Sequence, residues 1–234
     1  MDIKRYIAMT GAEFSNAALL QEHPAWMACH FSPYSTGLSN LPDTLPEESM
    51  IILNDSTPLC GHDPEFIATE LNYLADKCKA NAFLLDFQRE RTSETEDFVE
   101  QITNKLNRQV AVTEQYGTIT ECAVFLSCPR PCQSVAEKAA LWKNRDLWLE
   151  LATESETITI KKDNAIRSIS SPTAFSGQDF KNSSLNCRYR TEIFDKKVTI
   201  TLERSVENIP GLLEEANVCG IKITVGLYQQ LYPK

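Results

Sequence analysis

The stretch Asn81-Ala82-Phe83-Leu84-Leu85-Asp86-Phe87-Gln88 decides how the chain is read. Its short apolar run ends in polar residues, the pattern of a buried parallel strand. In a strand, residues i, i+2 and i+4 share one face. Leu84, Asp86 and Gln88 therefore point to the same side.

The residues just before it read as a helix. Asp63 is an N-cap and Pro64 fits the first helical position. Ile67, Leu71, Leu74 and Cys78 then follow at spacings of four, three and four, giving one apolar face. A similar strand covers 50–55. Downstream, Ser93-x-x-Glu96 reads as a capping box, opening a helix with Phe98, Val99, Ile102 and Leu106. Strands at 110–114 and 122–126 follow, too close together for a full helical crossover. Ser134-x-x-Glu137 opens a helix expected to reach about Asn144, and a strand follows at 147–151. This alternation predicts a parallel sheet with covering helices.

The ends of the chain extend the pattern. Strands are expected at 6–9 and 26–31, with a Ser, Pro, Gly and Asn-rich loop at 33–48. Beyond 151 the period changes to two. Two hairpins are expected, at 157–169 around Lys161–Asn164 and at 189–202 around Asp195–Lys197, separated by a loop at 170–186. A last helix carries Ile209, Leu212, Leu213 and Ala216, with Gly220 just past its end, and a last strand covers 221–227. The expected architecture is α/β: a trimmed or irregular (β/α)8 TIM-like barrel with C-terminal β-hairpin insertions. It spans 1–234 as one domain, with 152–204 as the hairpin-rich insertion.

The segment 63–88 resembles the family 18 glycoside hydrolases, the chitinase-like barrels. Their fourth strand reads Asp-Gly-x-Asp-x-Asp-x-Glu, after a helix with similar Phe-Ile and Tyr-Leu spacing. Over that motif, Asn81 takes the first Asp, Ala82 the Gly and Leu84 the second Asp. Asp86 matches the third, and Gln88 stands where the catalytic Glu would be. The resemblance implies that 84, 86 and 88 face the barrel interior near its C-terminal mouth, where barrel enzymes place their chemistry. It also implies a general acid at position 88, with the preceding Asp supporting the substrate's acetamido group. Gln88 has no acidic proton to give. The resemblance thus points to a sugar-binding or degenerate barrel, impaired at the catalytic Glu position.

Other candidates lie at predicted strand ends. Asp55, Asp86, Glu114 and Glu150 would converge on one mouth. Asp86 and Glu114, from neighbouring strands, are the candidate catalytic acid/base pair. Tyr34, Tyr116 and Tyr228 follow strands and would offer rings for a sugar to stack on. Asp55, Glu150 and Gln88 complete the expected ligand-binding set.

Composition narrows the remaining classes. The 234 residues carry 23 Lys and Arg against 32 Asp and Glu, a net charge of −9. A surface that repels phosphate argues against nucleic acid and against anionic membranes. No apolar run reaches the length of a membrane span. The N-terminus Met1-Asp2-Ile3-Lys4-Arg5 lacks the apolar core of a signal peptide. Eight cysteines, several in apolar runs such as Cys78, Cys122 and Cys219, are expected as reduced thiols in a cytoplasm. Cys128-Pro129-Arg130-Pro131-Cys132, Cys29-His30 and Cys60-Gly61-His62 do not reproduce zinc spacing, so no metal is expected. With eight glycines and no phosphate-binding loop, no nucleotide cofactor is expected either.

Three readings follow: a glycoside-hydrolase-like barrel that binds a carbohydrate without family-type catalysis, a glycan hydrolase using Asp86 and Glu114, or an interaction protein with a closed mouth. The expected partner is a small oligosaccharide or glycopeptide.

Overall fold

The structure is a computed structural model that describes residues 3–59, 61–131, 133–153, 155–161, 164–170, 181–182, 187–194 and 197–232. Cys60, Cys132 and most of the 170–186 loop lie outside the described residues, as do the centres of both hairpin turns.

Eight parallel strands form a closed ring. They are β1 (Lys4–Met9), β2 (His23–Phe31), β3 (Met50–Asn54), β4 (Ala82–Asp86), β5 (Gln109–Thr113), β6 (Ala123–Leu126), β7 (Leu147–Leu151) and β8 (Ile223–Leu227). Each pairs with its successor, and β8 closes onto β1 through Lys4↔Ile223 to Ala8↔Leu227. The alternation predicted a parallel sheet, and the ring is the expected TIM-type (β/α)8 barrel.

Ring closure gives every strand an inside and an outside. On β4, Ala82 and Leu84 enter an interior cluster with Tyr6, Met50, Ile52 and Trp148. Phe83 and Leu85 turn outward to a second cluster with the apolar faces of two helices. These helices are α1 (Pro64–Cys78) and α2 (Ser93–Thr103). Ile67, Leu71 and Leu74 of α1 are at most 4% exposed, as the spacing predicts. The Asp63 carboxylate accepts Glu65 N–H at 3.0 Å, the expected N-cap. Cys78 is buried in the outer cluster and Cys122 packs against it.

The barrel is trimmed. A 3₁₀ turn (Phe14–Leu19) stands after β1, and a two-residue strand, Leu38–Ser39, pairs antiparallel with β2. Between β5 and β6 only a 3₁₀ turn, Glu114–Tyr116, is present. After β6 comes the short α3 (Val135–Ala139), and after β8 the short α5 (Tyr228–Leu231).

Three boundaries differ from expectation. The α2 capping box is one residue early: Thr92 N–H donates to Thr95 Oγ1 at 2.9 Å and Thr95 N–H to Thr92 Oγ1 at 3.2 Å. Glu96, expected to close that box, is taken by the Arg91 guanidinium. Helix α3 has its predicted Ser134–Glu137 box but stops at Ala139. Its backbone tightens there into i→i+3 bonds, with Leu141 N–H on Lys138 O and Trp142 N–H on Ala139 O. Glu114, expected at the end of β5, instead starts the 3₁₀ turn.

The chain divides into two compact units. Met1–Ser127, Asn144–Glu150 and Ile221–Lys234 make the first, which holds the ring. Cys128–Lys143 and Leu151–Gly220 make the second. The second contains both expected hairpins, joined in one antiparallel five-stranded sheet. Ser155–Lys161 pairs with Asn164–Ser170 and with Lys197–Glu203, which pairs with Arg188–Phe194. Lys181–Asn182, inside the expected loop, adds a short edge strand. Helix α4 (Ile209–Val218) also lies in this unit, and Gly220 follows it at φ +74°, a left-handed terminus that glycine adopts without strain.

Phe87, just past β4, is 1% exposed and packs against Phe31, Phe98 and Tyr116 at ring distances of 5.7, 6.4 and 6.1 Å. Phe87→Ala is expected to cost about 3–5 kcal/mol, read as a lower urea midpoint at unchanged m-value. A loss below about 1 kcal/mol contradicts this account of the outer core.

Candidate functional site

The C-terminal ends of the strands enclose a cavity of about 340 Å³ within the first unit. Leu84, Asp86 and Gln88 all line it, so the predicted face of β4 does meet the mouth. Glu114 and Glu150 line it too. Of the eight candidate site residues expected from sequence, Asp86, Gln88, Glu114 and Glu150 are thus brought together.

The other four are elsewhere. Asp55 is 8% exposed and faces away from the cavity, where its two carboxylate oxygens accept Gln88 N–H and Arg89 N–H, both at 2.9 Å. Tyr116 is 1% exposed and belongs to the outer core. The 3₁₀ turn rotates it away from the mouth, its ring meets Phe87 edge-on, and its hydroxyl bonds Thr95 Oγ1 at 3.1 Å. Tyr34 is 95% exposed in the loop after β2. Tyr228 opens α5, packs beside Ile7 and Met9 and stacks on Tyr232. None of these four residues lines the cavity.

Sequence reading missed Asn54, Thr113, Gln115 and Ser127, which also line the mouth. The signal was present for Asn54, which is paired with Asp86 in the β3–β4 register. Its carboxamide holds the irregular register of β2, donating to Met27 O and Cys29 O, each at 2.9 Å. Thr113 donates to Phe87 O at 3.0 Å, and Gln115 donates to the same carbonyl. Ser127 donates to Glu114 through both its backbone N–H (3.0 Å) and its hydroxyl (2.8 Å).

Segment 86–89 is therefore held from both sides: by Asp55 through two N–H groups, and by Thr113 and Gln115 through the Phe87 carbonyl, with Gln115 reaching the Arg89 carbonyl as well. That fixes the Gln88 side chain over the cavity. Its amide donates to Asp86 Oδ1 at 2.5 Å. Burial pushes the Asp86 carboxyl above the usual carboxylate range, the Gln88 hydrogen bond pulls it back, and the Asp55 charge adds to the rise. A carboxylate beside a carboxamide can orient and accept hydrogen bonds from hydroxyl or amide groups. The carboxamide itself cannot serve as a general acid.

Among the described residues, no group of three or more His, Cys, Asp or Glu is placed to hold a metal ion. No helix among them is long and apolar enough to cross a membrane.

No family model matches the sequence, and no curated protein matches it. Solved structures do. The chain aligns over 96% of its length with 70% of the spore cortex-lytic enzyme SleL of Bacillus cereus, at 10% identity and a TM-score of 0.60. It aligns over 98% with 98% of a family 18 N-acetylglucosaminidase of Paenibacillus barengoltzii, at 7% identity and a TM-score of 0.57. The fold is that of the family 18 glycoside hydrolases. A third similar structure is the family 18 chitinase of Cycas revoluta, a double mutant in complex with (GlcNAc)4. There the alignment covers 95% of this chain and 94% of that one, at 8% identity and a TM-score of 0.57. The resemblance seen in residues 63–88 thus extends, at the level of fold, to nearly the whole chain.

The raised Asp86 pKa makes stability depend on pH. Below the usual carboxylate range the group is neutral folded or unfolded, and its burial costs no charge. As pH rises toward the folded-state value the penalty grows, and above that value it is fully present. Asp86→Asn keeps an acceptor for Gln88 and removes the charge. It is expected to raise Tm at pH 7, by about 2–4 °C per kcal/mol recovered, with the gain vanishing near pH 3. Thermal melts at the two pH values check this. A gain equal at both, or absent at pH 7, contradicts it.

Proposed function

We propose that this chain is a glycoside-hydrolase-like barrel that binds a carbohydrate at its C-terminal mouth without the acid catalysis of the family. The observation that carries the reading is Gln88. It is seated on Asp86 at the position where the motif calls for the acid, and it is held there by main-chain anchors on both flanks. The arrangement keeps polar groups aimed into a cavity of a size suited to a small ligand, while the proton-donating group is gone. A small oligosaccharide or glycopeptide is the matching ligand class, with Asp86, Gln88, Glu114 and Glu150 as its polar contacts. Among proteins of similar fold, one is an N-acetylglucosaminidase and another is a chitinase in complex with (GlcNAc)4.

A second reading is favoured by one observation. Asp86 and Glu114 line the same cavity, and Asp86 titrates high, as an acid in a two-carboxylate hydrolase does. The closed-mouth interaction reading gains no such support, since Leu84 lies at the bottom of an existing cavity.

Calorimetric titration with N-acetylglucosamine oligomers, followed by chromatography of the cell contents, separates these. Saturable heat with intact oligomers is expected, and Asp86→Ala should weaken binding by about 10–150-fold, the value of a hydrogen bond to a charged group. Cleavage that is lost in both Asp86→Ala and Glu114→Ala would replace this reading with the hydrolase. Absence of heat with every oligomer would refute carbohydrate binding.

A further inference from the structure

The inward-facing residues of the barrel fall into two chemically distinct layers. On five successive strands the residue at the mouth is polar and the one two positions before it is apolar. The pairs are Asn54 over Ile52, Asp86 over Leu84, Thr113 over Ala111, Ser127 over Phe125, and Glu150 over Trp148. The cavity is not confined to the polar layer. It reaches Ile52, Leu84 and Phe125, which are only 4%, 1% and 7% exposed, and Val225 of β8 joins them. The site therefore has a polar collar and an apolar floor.

An unsubstituted sugar does not match that floor. Such a sugar can meet apolar side chains only with the C–H faces of its ring, and each edge hydroxyl pressed against Leu84 or Phe125 loses water without gaining a partner. An apolar group placed there gains affinity instead, about 4-fold for each methylene taken out of water. Leu84 stands at the centre of the difference. It lies beneath Asp86 on the same strand, in register with Ile52 on one side and Ala111 on the other, at a position where the family motif has an Asp.

We propose that the ligand is a sugar bearing an apolar substituent longer than acetyl, with its hydroxyls in the collar and the substituent seated on Leu84, Ile52 and Phe125. Leu84 is the residue that sets this preference. The inference rests on the carbohydrate reading above and names the substrate class within it.

The test compares N-acetyl-, N-propanoyl- and N-butanoylglucosamine by calorimetric titration of the full chain. Affinity should rise about 4-fold with each added methylene, so the butanoyl sugar binds about 15-fold tighter than the acetyl one. In Leu84→Asp the rise should disappear. Should that variant fail to fold, Leu84→Ala serves, with the series extended to the pentanoyl and hexanoyl sugars for both proteins: the larger floor should move the tightest binding to a longer acyl chain than in the wild type. Butanoyl binding equal to or weaker than acetyl binding in the wild type overturns the inference and leaves carbohydrate binding standing. A rise that persists unchanged in Leu84→Asp, or an unmoved optimum in Leu84→Ala, removes Leu84 from the role. No heat with any of the three sugars overturns the carbohydrate reading itself.

Discussion

The pairing of β8 with β1 is the constraint on which the rest of the molecule depends. An open parallel sheet has two edges and two equivalent faces. Closing it removes both edges and makes the two faces unlike, one tightly curved inward and one broad and convex. Apolar runs such as 50–53 and 82–85 are then split residue by residue between an inner and an outer core. The interior accepts small and large side chains in alternation, such as Ala82, Leu84, Ala111 and Phe125. The exterior takes Phe83, Leu85 and Val112 beneath the helices. Only at the strand ends does the inner face escape this packing, and there polar groups gather.

Those groups are held mainly through backbone. Asp55 accepts two consecutive N–H groups, Thr113 and Gln115 share a single carbonyl, and Asn54 bridges two carbonyls of β2. Such bonds tie neighbouring strands just where the regular ladder ends. They leave a short, rigid rim from which the Asp86 and Gln88 side chains project, and rigid elements hold a binding constellation more closely than loops do.

Much of this was legible in the residues. The run at 82–88 and the helix before it were enough to identify a parallel strand and its inward face, because period two and period 3.6 are dictated by backbone geometry alone. Both hairpins were legible for the same reason. Tyr116 was not. Whether the chain after Thr113 stays extended or tightens depends on Glu114 receiving two donors from Ser127, a contact that joins two strand ends. Asp55 failed similarly: a carboxylate at a strand end looks the same whether it faces a ligand or a neighbour's N–H groups. The box at Thr92 was hidden because Ser93 and Glu96 fit the pattern equally well, and the decision fell to Arg91.

The grip of Asp55 on the main chain at 88 and 89 carries a further consequence. It holds the backbone at position 88 whatever side chain stands there. Carboxamide and carboxylate are nearly the same size and shape, so exchanging one for the other asks nothing new of the backbone; the demand falls on Asp86, whose hydrogen bond from the amide would become a contact between two carboxyl groups sharing one proton. Position 88 is in effect a socket for the main chain, and the chemistry of whatever side chain stands there is set by its contact with Asp86.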